Sequence, residues 1–225
     1  MKTVMEILVI DVGGTNVKVS MRGRKEPIRI PSGPQMTAGQ MAAKVKRATA
    51  GWKYDGVTIG FPGPTAKDRP LNEPKNLAGG WVRFDYRKAF GVPVRIVNDA
   101  AMQALGAYRG GRMLFLGLGT GLGSALVVDG ELAPLELAHL PYRNGKTYEQ
   151  YVGKAGRQWL GENRWRRHVA RVVALLADGL QADDVVIGGG EAKRLETMPE
   201  GTRRVGNDMA IVGGLRLWLD SKHRT

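Results

Sequence analysis

The chain has 225 residues, 43% hydrophobic and 24% charged, which is enough to bury a real core as one large domain or two small ones and too rich in Leu, Val and Ile for global disorder. It contains no cysteine, which excludes disulfides and thiolate metal sites, and no run of eighteen apolar residues, which excludes a membrane-spanning helix. The net charge of +13 favours polyanionic partners as a class, although a merely soluble basic surface accounts for it when charge is taken alone.

The first fourteen residues, MKTVMEILVIDVGG, are basic and then apolar in the manner of a signal peptide. Glu6 and Asp11 interrupt the run and no small-residue cleavage site follows, so the stretch reads as a first strand and a cytoplasmic protein is expected. MEILVID and NVKVSM read as two strands joined at Gly13-Gly14, and IRIPSG as a third. TAGQMAAKVKRATAGW predicts a helix capped by Thr37. YDGVTIGFPGP follows as a buried strand, WVRFDYRKAFG as a short helix, VPVRIVND as a strand and AAMQALGAYRGG as a helix closed by glycines. The pattern then restarts. RMLFLGLGTGLGSALVVDGELAP is strand, glycine turn and strand, with Asp129-Gly130 opening a second hairpin. TYEQYVGKAGRQWLG and NRWRRHVARVVALLADGL are helical, the latter with Trp165, Val169, Val172, Val173 and Leu176 on one face. DDVVIGGG is a strand entering a glycine turn, and DMAIVGGLRLWLDSK a terminal helix. Two similar α/β lobes are therefore expected, 1–108 and 109–225, with the boundary near Tyr108 to Arg112 and the last helix able to pack back on the first lobe.

Three apolar segments end in glycine clusters: Gly13-Gly14, Gly119 to Gly123, and Gly188 to Gly190. Glycine brings bare amides close to a ligand, and several amides converging on one concavity bind phosphate. One such cluster would be an ordinary hairpin turn; three, each at a strand end, favour a phosphate or nucleotide site. GKT at Gly145 to Thr147 lacks the upstream glycine of a P-loop, since Leu140 stands there, and LGLGTGLGS continues as a strand instead of opening a helix. The site would thus be built from hairpins. Asp11 beside the first turn suits Mg²⁺ held through water, or plain hydrogen bonding within the turn. Thr15 and Lys18 could donate to phosphate, and Lys18 equally suits a solvated strand face.

Asn98-Asp99 closes a buried strand and opens a helix. That is where open α/β sheets place ligands, and also where a plain N-cap belongs; base and cap remain even alternatives for Asp99 on this segment alone. In ELAHLPYRNGKTYEQY, Glu136, His139 and Glu149 suit the hydroxyls of a neutral polyol, although each taken singly reads as a surface charge or turn residue.

DVGGTNVKV, IGFPGP, VNDA, LGLGTGLGSALVVDG, ELAHL and VVIGGG occur in the order found in the ROK sugar kinases, and nearly the whole chain resembles that family. Within it the polyphosphate glucokinase branch is most similar: GTGLGSALVVDGELAPLELAHL is close to its signature, and the zinc-binding cysteine cluster of other ROK proteins is missing. The resemblance implies two ribonuclease-H-like lobes of the actin/hexokinase-like superfamily closing over a central cleft. It places Asp11, Gly13, Gly14, Thr15 and Lys18 around the transferred phosphate, and Gly119, Thr120, Gly121 and Gly189 on the donor. Asn76, Asn98, Asp99, Glu136, His139 and Glu149 would bind glucose, with Asp99 as catalytic base. Mg²⁺, a homodimer, and polyphosphate or ATP as donor follow from the same likeness, with no structural zinc.

Ala138 stands where the family has glycine before its histidine, and the second acidic residue common after the Asn-Asp pair is replaced in NDAAMQALGAY. For the donor, VVIGGGEAKRL is the candidate adenine pocket, and Arg164, Arg167 and Arg171, with Lys193, Arg194, Arg203 and Arg204, the candidate polyphosphate track; a solvated basic face explains the arginine stripe equally simply. The alternatives are an ATP-dependent kinase for another hexose or amino sugar, and a non-catalytic sugar-sensing or nucleic-acid-binding protein, for which no nucleic-acid module is recognisable.

Overall fold

Ile7–Val12, ILVIDV, forms β1 and is buried along its whole length, as a strand covered on both faces must be. Asp11 is its one charged residue. The structure, a computed structural model, describes residues 5–24 and 26–219. They fall into two compact units, the first taking in the chain up to Met102 and again from Ala210, the second Gln103–Met209.

In the first unit β1 runs antiparallel to β2 (Asn16–Met21), which pairs antiparallel with β3 (Ile28–Pro31). Helix α1 (Ala38–Ala48) starts at the predicted Thr37. Gln40 N donates to Thr37 Oγ1 at 3.2 Å and Thr37 N donates to Gln40 Oε1 at 3.1 Å, so the start carries a complete capping box. Strand β4 (Gly56–Phe61), again wholly buried, lies parallel to β1. A two-residue hairpin, β5 (Thr65–Ala66) and β6 (Arg69–Pro70), follows, then the short helix α2 (Tyr86–Phe90) and β7 (Val94–Asn98), parallel to β4. The sheet order is β3-β2-β1-β4-β7. Helix α3 (Asp99–Ala107) leaves directly from β7.

The second unit repeats this order. Strands β8 (Arg112–Leu118), β9 (Leu122–Val128) and β10 (Glu131–Leu135) form an antiparallel meander, with Asp129-Gly130 in its two-residue turn at φ 50° and 86°. The small hairpin of β11 (Pro141–Arg143) and β12 (Lys146–Thr147) leads into α4 (Tyr148–Val152), α5 (Lys154–Leu160) and α6 (Glu162–Leu180). Strands β13 (Asp184–Gly188) and β14 (Thr202–Arg204) add in parallel, giving β10-β9-β8-β13-β14. All five residues expected on the apolar face of α6 are buried. Trp165, in the first turn of α6, donates its indole nitrogen to Val152 O at 2.8 Å.

Helix α7 (Met209–Leu219) belongs to the first unit; Asp220 to Lys222 of its expected span lie outside the described residues. It packs on the β1–β4 face, where Ile7, Val9, Met102 and Ala210 form a buried cluster. Gly214 touches Val9 there, so the glycine tolerated in the helix pattern is a close approach. Thr58, fully buried in β4, donates to Gly214 O at 2.8 Å and accepts from Trp218 Nε1 at 2.7 Å, so its hydroxyl is satisfied.

Two expected elements differ. The stretch 148–160 reads as one helix but is broken at Gly153, which adopts extended backbone. A Cβ there would lie 2.7 Å from both Glu149 O and Thr120 O, so the break lets the helix start press onto the β8–β9 turn. In WVRFDYRKAFG only Tyr86–Phe90 is helical, capped by Asp85, whose carboxylate accepts from Lys88 N at 2.9 Å. Among the described residues no helix is long and apolar enough to cross a membrane.

Candidate active site

The carboxyl ends of the parallel strands β1, β4 and β7 lie side by side in the first unit. Asp11 is in register with Gly60, and Gly60 with Val97. Gly60 faces the start of α3: a Cβ there would meet the movable end of the Met102 side chain and lie in ordinary contact, 3.6 Å, with the Asp99 Cα. The first turn of α3 thus packs on β4, with Asp99 beside the row that holds Asp11 and Gly60.

Asn98, not Asp99, caps α3. Its Oδ1 accepts from Ala101 N at 3.0 Å, while its Nδ2 donates to Gly63 O at 3.2 Å. The amide of Asn98 is therefore largely committed to holding the Pro62-Gly63 bend and the helix start. Asp99 is the first helical residue, half-buried, its Oδ1 accepting from Ala100 N at 2.8 Å. Of the two alternatives for Asp99, the cap is thus taken by its neighbour Asn98.

Asp11 is 6% exposed and pairs with Lys18, its cross-strand partner in β2, at 2.9 Å. No other hydrogen bond reaches the Asp11 carboxylate among the described residues. Between them the turn closes through Gly13 N donating to Asn16 O at 3.1 Å, and Ser32 braces it, its Oγ donating to Gly13 O at 2.6 Å. Gly14 and Thr15 are exposed at the tip, and a Cβ on Gly14 would lie 3.4 Å from the Asn76 Cβ, so the exposed Asn76 stands against this turn. Ser32 was not anticipated; only its position immediately after β3 could have suggested it.

The second unit gathers the remaining residues. His139 lies between two carboxylates, its Nδ1 3.4 Å from Glu149 Oε1 and its Nε2 3.7 Å from Glu136 Oε2. The histidine is half-exposed, and those separations leave its ring accessible to a hydroxyl. Ala138, buried, sits in the single helical turn 137–139 that presents it. Glu149 also packs on the β8–β9 turn: a Cβ on Gly121 would fall on its Oε2. Gly119, Thr120 and Gly121 close that turn, with Gly119 N donating to Gly121 O at 3.1 Å and Gly119 O accepting from Lys154 N at 2.9 Å. Gly189, at φ +87°, lies against the Leu118 carbonyl, so the glycine turn after β13 abuts the end of β8.

The basic residues separate into two groups. Arg203 pairs with Asp184 at 2.6 Å, Arg204 donates to Leu195 O, and Arg164 Nε donates to Leu160 O at 2.8 Å; these three are structural. Arg167 and Arg171 are exposed beside Tyr142 and His168, whose phenol and imidazole Nδ1 lie 2.9 Å apart. Burial, then Arg143, Arg171 and Arg167, hold the His168 pKa below its ordinary value.

Among the described residues no group of three or more His, Asp or Glu side chains is placed to hold a metal ion. Asp11 as a lone carboxylate fits the mode in which Mg²⁺ is carried mostly by substrate phosphates and water.

No family model matches the chain. In sequence it is 27% identical over 214 residues, 83% of its length, to the polyphosphate glucokinases of Mycobacterium leprae and Mycobacterium tuberculosis. It covers 64% of the former, less than two thirds, and 78% of the latter. In fold it is similar to an inorganic polyphosphate/ATP-glucomannokinase from Arthrobacter sp. strain KM, with TM-score 0.78, 26% identity, and 94% of this chain and 97% of that one covered. A ROK family glucokinase from Streptomyces griseus, solved with glucose and AMPPNP, gives TM-score 0.76 at 17% identity, covering 94% and 98%. The likeness to ROK sugar kinases found in the motifs thus extends to the architecture, an α/β fold with two five-stranded sheets.

Proposed function

We propose that the protein is a ROK-type glucokinase that transfers a phosphoryl group from polyphosphate, ATP or both to the 6-hydroxyl of glucose. The observation that carries this reading is the arrangement at the carboxyl ends of β1, β4 and β7. There Asn98 takes over the helix cap, and Asp99 is set beside the glycine-closed approach to Asp11. A carboxylate at that position can accept the hydroxyl proton while the sugar oxygen bonds to phosphorus and the bond from phosphorus to the leaving phosphate oxygen breaks.

In this reading the first unit supplies the Gly13-Gly14 amides, Thr15 and Lys18 to the transferred phosphate, and Asn76 to the sugar. The second supplies Glu136, His139 and Glu149 to sugar hydroxyls, and Gly119 to Gly121 with Gly189 to the donor. The two lobes of this reading are taken as the two compact units, which divide after Met102 and again at Ala210. Asp11 would hold Mg²⁺ through water, and the ion when bound neutralises charge on the donor phosphates. A cytoplasmic location and a homodimer belong to the same reading. The sequence relatives and the glucomannokinase-like fold support both the acceptor class and the choice of donors.

The test is a coupled assay of a sugar panel crossed with ATP and polyphosphate. Glucose 6-phosphate formed from glucose with either donor is the expected result. Turnover confined to another hexose or an amino sugar would move the acceptor assignment, and no turnover with any pair would overturn the kinase reading.

A further inference from the structure

Apart from the residues given roles above, the first unit contains a cavity of about 590 Å³ between the β5–β6 hairpin, the segment leading into α2, and β7. Four cations line it, Lys67 and Arg69 from the hairpin and Arg83 and Arg87 from the α2 segment. Among the described residues none of the four has a carboxylate within ion-pair distance. The two acids on the wall are turned to the backbone: Asp68 Oδ1 accepts from Ile96 N at 3.2 Å and Asp85 Oδ1 from Lys88 N at 2.9 Å. The remaining wall is apolar, with Phe84, Val94 and Ile96.

The hairpin that carries two of the cations is itself unusual. Its two-residue turn is Lys67-Asp68, at φ 48° and 56°, where asparagine and glycine are the common residues. The Asp68 bond to β7 fixes the turn there, so that the lysine and arginine flanking Asp68 both line the cavity.

A space of this size, part apolar and part lined by guanidinium groups without a carboxylate at ion-pair distance, Arg87 acting on Asp68 only from further off, matches a small organic ligand with a doubly charged end better than a bare anion. We propose that this cavity binds a small organic phosphate, a phosphate monoester on a body about the size of a hexose, at a site distinct from the Asp99 and His139 residues. The arginine forks take the phosphate, and Phe84 with the β7 side chains covers the organic part. Ile96 lies two residues from Asn98, so an occupant would rest against the strand that delivers Asp99. The inference does not depend on the transfer reaction.

Glucose 6-phosphate serves as the probe, titrated calorimetrically into the wild-type chain and into R69S/R87S, with inorganic phosphate and glucose as separate arms. Arg69 and Arg87 are exposed, so the double variant should fold, as an unchanged melting temperature without probe will show. Glucose 6-phosphate affinity should fall about 10- to 100-fold in the double variant and in R83S by a smaller factor, since each guanidinium lost removes a charge-assisted contact. Initial rates of sugar phosphorylation at low product should stay within about two-fold. Equal affinity in wild type and R69S/R87S would overturn the proposal, because probe bound at the Asp99 site would not register these changes. Inorganic phosphate binding as tightly as the ester would also overturn it. If no sugar is phosphorylated yet probe affinity falls in the variant, the cavity assignment stands while the kinase reading fails.

Discussion

At the scale of single residues, two carboxylates at neighbouring strand ends have different neighbours, and the proposed reading gives them different tasks. Asp99 is half-buried at a helix start that its neighbour caps, a place where a base can both reach a hydroxyl and remain oriented. Asp99→Asn keeps the shape and removes proton acceptance, so turnover should fall about 10²- to 10⁴-fold while glucose affinity changes little. Steady-state rates and a glucose titration of the same preparation measure both; unchanged turnover would remove Asp99 from the chemistry. Asp11 is different, being 6% exposed and matched to Lys18 at 2.9 Å. Lys18→Met would leave that buried charge without its partner. Because the Lys18 side chain keeps one-fifth of its surface in solvent, the expected loss is about 1–3 kcal/mol, below that of a fully buried broken pair. The urea midpoint should drop with unchanged slope, and D11N/K18M should recover most of it. A single variant as stable as wild type would show that the pair contributes nothing.

At the scale of elements, what was legible in the sequence followed from period and glycine placement. Mostly apolar runs marked β1 and β4, the helical stripe marked α6 residue by residue, and Thr37 marked the start of α1. The two small hairpins were not legible for opposite reasons. Lys67-Asp68 lacks the glycine that usually announces a two-residue hairpin turn, and the Asp68 bond to β7 helps to hold it. Asn144-Gly145 carries the strongest such signal, yet the strands it joins are only three and two residues long. Strand β14 is a three-residue parallel edge held by its pairing with β13, which no local pattern announces. Of the site, strand-end carboxylates and glycine turns could be read in one dimension; the Asn98 cap and the seat of Glu149 on Gly121 required the packing. Packing also separates glycines that look alike in VVIGGG. Gly189 has φ +87° and its Cβ would lie 2.7 Å from the Leu118 carbonyl carbon, whereas Gly190 has an ordinary φ and open space. Gly189→Ala should cost about 2–4 kcal/mol, from left-handed strain plus a clash with backbone that cannot step aside. Gly190→Ala should stay within about 0.5 kcal/mol. Thermal or urea unfolding of the two variants compares them directly, and equal losses would mean that the turn relaxes freely.

At the scale of the whole molecule, a charge of +13 becomes informative once the cations with structural partners are set aside. Lys18, Arg157, Arg166 and Arg203 are matched to carboxylates, and such pairs steer nothing. Arg143, Arg167 and Arg171 have no carboxylate within ion-pair distance among the described residues, and they converge on the Tyr142–His168 pair. That pair packs against Tyr148 and Tyr151 of α4, the short helix that also carries Glu149. One element of the second unit thus connects a candidate sugar ligand to an unmatched basic surface. A chain of phosphates long enough to lie on that surface would displace several counterions, whereas a nucleoside triphosphate held at the glycine turns would displace few. Salt discriminates between them, because the logarithm of a polyanion's affinity falls in proportion to the phosphates neutralised. Between about 50 and 200 mM salt the KM for polyphosphate should rise about 10- to 100-fold, as three or so neutralised phosphates require, while that for ATP should rise only a few-fold. In R167S/R171S the polyphosphate slope should flatten toward that of ATP with ATP-driven turnover unchanged. Parallel salt dependence for the two donors in the wild-type protein would exclude this surface from donor binding and leave its charge as a solvated face.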